Sequence, residues 1–184
     1  MPTWGWILIV IGAAVVAGAV VAAALRSRQS RSLKERFGPE YDRVAADAPS
    51  RREAEAELRE REKRHEQLDL RPLDPGDRDR FRARWQDVQA RFVDDPARAV
   101  GDADGLIQQV MRARGYPVDD FEARAADLSV DHPGVVESYR SAHGIAVAHE
   151  RGKAGTEELR HAIRHYRSLF ESLVENAERQ EVRS

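Results

Sequence analysis

The sequence predicts an all-α protein with an N-terminal transmembrane helix, a charged helical stalk and a compact C-terminal bundle of about five helices. Three observations carry this reading. An uninterrupted apolar run, WGWILIVIGAAVVAGAVVAAAL, fills residues 4–25. A segment follows that is rich in strong helix formers and charge but poor in apolar side chains. From about residue 70, apolar residues recur at spacings of three and four between Asp-Pro starts and Gly stops, and no alternating strand pattern of useful length appears.

The first run reads as an uncleaved anchor over residues 1–25. Its 22 residues carry no charge and no proline, and at ~1.5 Å per residue they span ~33 Å, close to the ~30 Å hydrocarbon core of a bilayer. A secretory signal places its basic residues before the apolar stretch. Here the order is reversed: Arg26, Arg28, Arg31, Lys34 and Arg36 follow it. Ala22-Ala23-Ala24 would serve as the cleavage site in the competing signal-peptide reading. The positive-inside rule assigns the basic cluster to the cytoplasm, so the N-terminus lies outside and the C-terminal domain is cytoplasmic. Trp4 and Trp6 stand where interfacial aromatics hold the outer end, and Leu25 closes the span. Ala14, Gly18 and Ala22 share one face at four-residue spacing, a pattern that lets two anchors approach closely as a homodimer.

Composition narrows the function classes. Of 184 residues, 34% are charged, yet Lys+Arg 30 and Asp+Glu 32 nearly cancel. Such a balance supplies no field for nucleic acid, so no nucleic-acid partner is expected. The basic cluster suits anionic headgroups of the lipid bilayer instead. With no cysteine, disulfides and thiolate metal sites are excluded.

The next section, residues 26–69, is a basic juxtamembrane linker and stalk. Phe37-Gly38-Pro39-Glu40-Tyr41 breaks the chain. Ser50-Arg51-Arg52-Glu53 matches a capping box, and the helix after it holds the pairs Glu55/Arg59, Glu57/Arg61 and Glu60/Arg64 at i,i+4. Leu58 and Leu68 are its only large apolar residues, too few for a coiled-coil seam.

The bundle domain covers residues 70–178, with a tail at 179–184. Asp74-Pro75 opens a helix carrying Phe81, Trp85, Val88 and Phe92. Asp95-Pro96 opens the next, with Val100, Ala103, Ile107, Val110 and Met111, stopped by Gly115-Tyr116-Pro117. Asp119-Asp120 begins a short helix with Phe121 and Leu128. Asp131-His132-Pro133 starts another bearing Val136, Tyr139, His143 and Val147, ending near Gly152. Thr156 caps the last, whose Leu159, Ile163, Tyr166, Phe170 and Leu173 hold one stripe. These stripes are enough to close a core, with Trp85, Phe92, Ile107, Tyr139, Tyr166 and Phe170 in it.

Motifs of chemistry are sparse. His161 and His165 stand at metal-gripping i,i+4 spacing, but Ala162-Ile163-Arg164 lies between them without a glutamate, and Arg164 disfavours a cation. Gly152-Lys153 lacks the preceding glycine and strand of a phosphate loop. Asp94-Asp95 and Asp119-Asp120 sit at helix starts, where the macrodipole accounts for them. No cofactor is expected.

Several phrases together carry a resemblance: Arg91-Phe92-Val93-Asp94-Asp95-Pro96, Val110-Met111-Arg112-Ala113-Arg114-Gly115-Tyr116-Pro117, Asp127-Leu128-Ser129-Val130-Asp131-His132-Pro133, Tyr139-Arg140-Ser141-Ala142-His143 and His165-Tyr166-Arg167. With them the chain resembles a family of bacterial, largely actinobacterial, single-pass membrane proteins without an assigned activity, whose members are often labelled "secreted" or "hypothetical". The resemblance implies the anchored architecture and leaves the activity open. The expected function is a membrane-tethered, non-enzymatic interaction module facing the cytoplasm, with a protein partner still to be identified. The alternative is a small ligand- or metal-binding or enzymatic domain using His132, His143 and nearby carboxylates.

Overall fold

A computed structural model describes the backbone over residues 3–181; the side chains of residues 3–15, 19, 22, 26 and 176–181 lie outside the description. The described residues form helices and connecting turns without a strand. The chain divides into two compact units, Met1–Leu58 and Arg59–Ser184.

In the first unit a single helix, α1, runs from Thr3 to Phe37. The expected linker therefore begins later than predicted: residues 26–37 hold no Gly or Pro, and nothing in them stops a helix already under way. The break comes at Gly38, whose φ of 50° no side-chain-bearing residue adopts readily. Pro39 then opens α2, Pro39–Asp47, which turns back onto α1. Leu33, Phe37, Tyr41 and Val44 are buried at this corner. Glu40 is buried with them and takes two bonds from Arg43, at 2.8 and 2.9 Å.

Among the described residues no helix is long and apolar enough to cross a membrane. The expected anchor is helical in its backbone, but Trp4, Trp6, Ala14, Ala22 and Arg26 fall outside the described side chains. The expected transmembrane element is therefore not shown by the described residues.

The stalk helix α3, Arg51–His65, shows one half of the expected capping box: the Glu53 amide donates to Ser50 Oγ at 3.3 Å, while the Glu53 carboxylate accepts from the Ser50 hydroxyl, at 3.1 Å, rather than from a backbone amide. It is not solvated all round, however. Ala54 and Leu58 are fully buried and Arg61 is 6% exposed. With His65 they form a stripe spaced four, three and four, in which only Leu58 is large and apolar; a search for large apolar residues passes over Ala54, Arg61 and His65.

The second unit contains the end of α3 and five further helices: α4 Pro75–Asp94, α5 Pro96–Arg114, α6 Phe121–Asp131, α7 Pro133–Glu150 and α8 Thr156–Glu181. This is the expected bundle. α8 packs on α7 and α5, α4 on α5, and α6 on α7. Asp95 and Asp120 cap as predicted, accepting from the amides of Arg98 at 3.0 Å and Ala123 at 2.9 Å. At α8 the cap position falls to Gly155, whose amide donates to Glu158 at 2.9 Å, so Thr156 is already helical. Trp85, Ile107, Tyr139, Tyr166 and Phe170 are buried in one cluster with Leu106, Met111, Leu128, Leu169 and Leu173; Phe92 packs on its margin, half-buried.

Candidate functional site

A group of buried and half-buried polar side chains in the second unit gathers where α3 ends, α5 ends and α6 meets α7. Gly115 makes it possible. Its φ is 92°, and an added Cβ would stand 2.2 Å from the backbone oxygen of Asp69. Only glycine allows both the left-handed turn and that approach. The loop after α3 is fastened here, with the Arg71 amide donating to Arg114 O at 3.0 Å and Arg71 Nε to Ala113 O at 2.9 Å. The sharp exit then aims Tyr116 inward, where it is 3% exposed.

Asp131, at the last position of α6, collects two bonds on one oxygen: His65 Nε2 lies 2.8 Å and Tyr116 Oη 2.7 Å from Oδ2. Burial alone raises a carboxyl; the bonds from His65 and Tyr116 outweigh it and bring Asp131 down to about 2. Burial, and after it the same carboxylate, push the Tyr116 hydroxyl well above its ordinary value, so it stays a proton donor. One turn back, Asp127 is held up, chiefly by burial, against the attraction of Arg64, His65 and Arg61. Arg61 reaches Ser129 at 3.4 Å, docking the end of α3 on α6.

His132 belongs to a second group. Its Nδ1 lies 2.8 Å from Ser172 Oγ, and its Nε2 lies 3.4 Å from Arg114 Nη1. A guanidinium only donates, so Nε2 accepts, Nδ1 carries the proton, and the imidazole is neutral. Burial, followed by the Arg114 charge, lowers His132 to about 4. Arg114 itself is 2% exposed. It donates to Leu173 O at 3.1 Å and lies 5.6 Å from the Tyr116 ring centre, while its Nε finds no hydrogen-bond partner. A third group, Arg124 donating to Tyr139 Oη at 3.0 Å with Asp104 3.4 Å beyond, closes the α5–α6–α7 junction.

These groups lock protons in place rather than exchanging them. Asp131 stays ionised and His132 stays neutral around pH 7, and each is engaged by neighbours that also tie helices together. His143 is elsewhere: its ring stacks on Phe121, centres 3.7 Å apart and planes 11° from parallel. Eleven residues of α7 put it roughly 16 Å along the helix from His132. The structure thus does not bring His132 and His143 into one cleft, and the carboxylate next to His132 is occupied by His65 and Tyr116. His161 is exposed and His165 half-buried on α8; among the described residues no group of three or more potential metal ligands forms.

His65, Tyr116, Arg114 and Ser172 were not singled out by sequence reasoning. Tyr116 was read only as part of a helix stop, and His65 only as part of a charged helix. The spacing of His65 from Leu58 and Arg61 is the signal that finds it.

Open clefts lie between α4 and α5, about 270 Å³ around Gly101 and Gly105, and between α4 and α8, about 210 Å³ around Trp85 and Phe170. In the first unit a cleft of about 360 Å³ is lined by Ser27, Ser30, Arg31, Arg51 and Glu55. No protein-family profile, no curated protein and no solved structure matches this chain.

Proposed function

We propose that this protein is a membrane-tethered, non-enzymatic interaction module. Residues 4–25 hold it in the bilayer with the N-terminus outside, and the bundle is offered to a cytoplasmic protein partner. The observation that carries the reading is the state of α1 where its side chains are described. Val16, Val20, Val21 and Leu25 are 54–63% exposed. Among the described residues nothing covers them, and they continue a charge-free run that ends at five basic residues. Isolated exposed apolar residues are ordinary, but a contiguous set on a helix needs a lipid or protein neighbour. The lock-in of His132 and Asp131 supports a structural rather than a catalytic bundle. Tethering raises effective concentration without adding a contact. Self-association through Ala14, Gly18 and Ala22 and kinship with the anchored bacterial family named above belong to the same proposal.

The test is fractionation and topology. The protein is expected in the membrane pellet after alkaline carbonate extraction, with a C-terminal alkaline phosphatase fusion inactive. An active fusion, a mature chain starting near Leu25, or full release by carbonate overturns the reading.

A further inference from the structure

We propose that the cleft between α1 and α3 is a binding site for a phosphate-ester anion, supplied by an anionic phospholipid headgroup or by a soluble phosphate. The headgroup source rests on the anchored reading above, which places Ser27 and Arg31 within about two turns of the hydrocarbon edge.

The site is built before any ligand arrives. Ser27, Ser30 and Arg31 share one face of α1 at spacings of three and four. Arg51 and Glu55, one turn apart on α3, stand opposite. Ser30 is 9% exposed and accepts from Arg51 Nη2 at 2.7 Å. Arg51 Nε donates to Tyr41 Oη at 2.9 Å and to Glu55 Oε1 at 3.2 Å. The guanidinium is therefore oriented by three neighbours through one edge, while its side chain remains 69% exposed. The other edge keeps its donors for a ligand. Planar guanidinium forks suit phosphate oxygens, and pre-orientation removes much of the ordering cost.

Glu55 does not oppose an anion as strongly as its charge suggests. One of its oxygens accepts from Ser30 at 2.5 Å, Tyr41 at 3.0 Å and Arg51 at 3.2 Å. Its charge is spent inward on these donors, the Ser30 bond chief among them, which together hold its carboxyl below the ordinary value against burial. Arg31 is exposed and has no ion pair or hydrogen bond among the described residues, unlike Lys34, which is paired with Asp42 at 3.1 Å. Two guanidinium charges against one carboxylate leave the cleft with one positive charge, matched by one phosphodiester. A choline headgroup brings its own cation and is disfavoured.

The experiment uses full-length protein, solubilised in mild detergent and examined by native mass spectrometry with added phosphatidylglycerol, phosphatidylcholine or inorganic phosphate. One phosphatidylglycerol retained per chain in preference to phosphatidylcholine is expected, weakened about tenfold in Arg31→Gln and in Arg51→Gln. Arg31 makes no ion pair or hydrogen bond among the described residues, so its variant is expected to keep the fold, and circular dichroism checks both. Retention of inorganic phosphate with the same loss in the variants also supports the site and assigns the soluble source. Binding that ignores both substitutions, or equal retention of the two lipids, overturns it. Carbonate extraction of the parent chain reads the anchor separately: a parent that stays in the membrane but retains neither phosphatidylglycerol nor phosphate sinks the site alone, whereas release of the parent from the membrane sinks the anchor.

Discussion

The indole of Trp85 lies flat against the ring of Phe170, centres 4.8 Å apart and planes 16° from parallel. The pair joins α4 to α8 across the core. Large aromatics contribute most of the apolar area in such a core, so Trp85→Ala is expected to cost ~3–5 kcal/mol. Phe92, half-buried at the margin with Arg160 5.9 Å above its ring, should cost clearly less as Phe92→Ala. Denaturant midpoints of the two variants check the order. An unchanged midpoint for Trp85→Ala would show that α4 does not present this face to α8.

Acid should weaken the second unit in two stages. His132 falls from an unfolded value near 6.5 to about 4 in the fold, so the unfolded chain takes its proton first. Its stability contribution is complete above pH ~6.5 and fades as pH drops to ~4, by about 3 kcal/mol at most. His132→Gln removes this stage while keeping a side chain able to bond Ser172. Chemical denaturation at pH 7 and pH 4.5 should show a smaller difference in the variant than in the parent.

The second stage belongs to Asp131, lowered from 3.8 to about 2. Its contribution is present above pH ~4 and is lost as pH falls through ~2. With the side chain 30% exposed, solvent screening limits it to about 1–2 kcal/mol. Asp131→Asn should lower stability at pH 7 and leave it nearly unchanged at pH 2. An Asn variant as stable as the parent at pH 7 would mean that the bonds from His65 and Tyr116 contribute nothing.

Gly115→Ala should be disruptive for two separable reasons. The left-handed backbone alone costs roughly 1–3 kcal/mol for a residue with a side chain. The new methyl group would also meet Asp69 O at 2.2 Å, which forces the 66–72 loop away from α5. A drop in thermal midpoint together with a changed His65 imidazole resonance is expected. A lower midpoint with an unchanged His65 signal would leave only the backbone cost.

In the anchored state proposed above, orientation should depend on the basic cluster. Replacing Arg26, Arg28, Arg31, Lys34 and Arg36 with neutral residues is expected to raise the active fraction of a C-terminal phosphatase fusion. No change in that fraction would remove the electrostatic basis of the topology.

The bundle was legible because its signals are local and redundant. Asp95-Pro96 and Asp120 state where helices start, Gly115 states where one stops, and Trp85, Ile107, Tyr139 and Phe170 repeat at helical spacing. The continuation of α1 to Phe37 was hidden because a change from apolar to basic residues resembles a boundary, although helix formation depends on backbone compatibility. The site was harder still. His65 and Asp131 come together only through tertiary packing, and Arg114 was invisible because arginine in a bundle of this charge is expected outside. Its burial is set by carbonyl, imidazole and aromatic neighbours that no single-sequence pattern announces.

Because α1 passes through its basic segment without a break, the anchor proposed for residues 4–25 and the basic residues after it share one helical phase. Each residue along that helix advances ~1.5 Å and turns ~100° about the axis, so depth and facing direction are coupled. In the proposed membrane setting, a bilayer thinner or thicker by a few ångströms would therefore change which residue near Ser27 and Arg31 stands at the interface. Membrane thickness would then select the face of the basic segment that meets the headgroups.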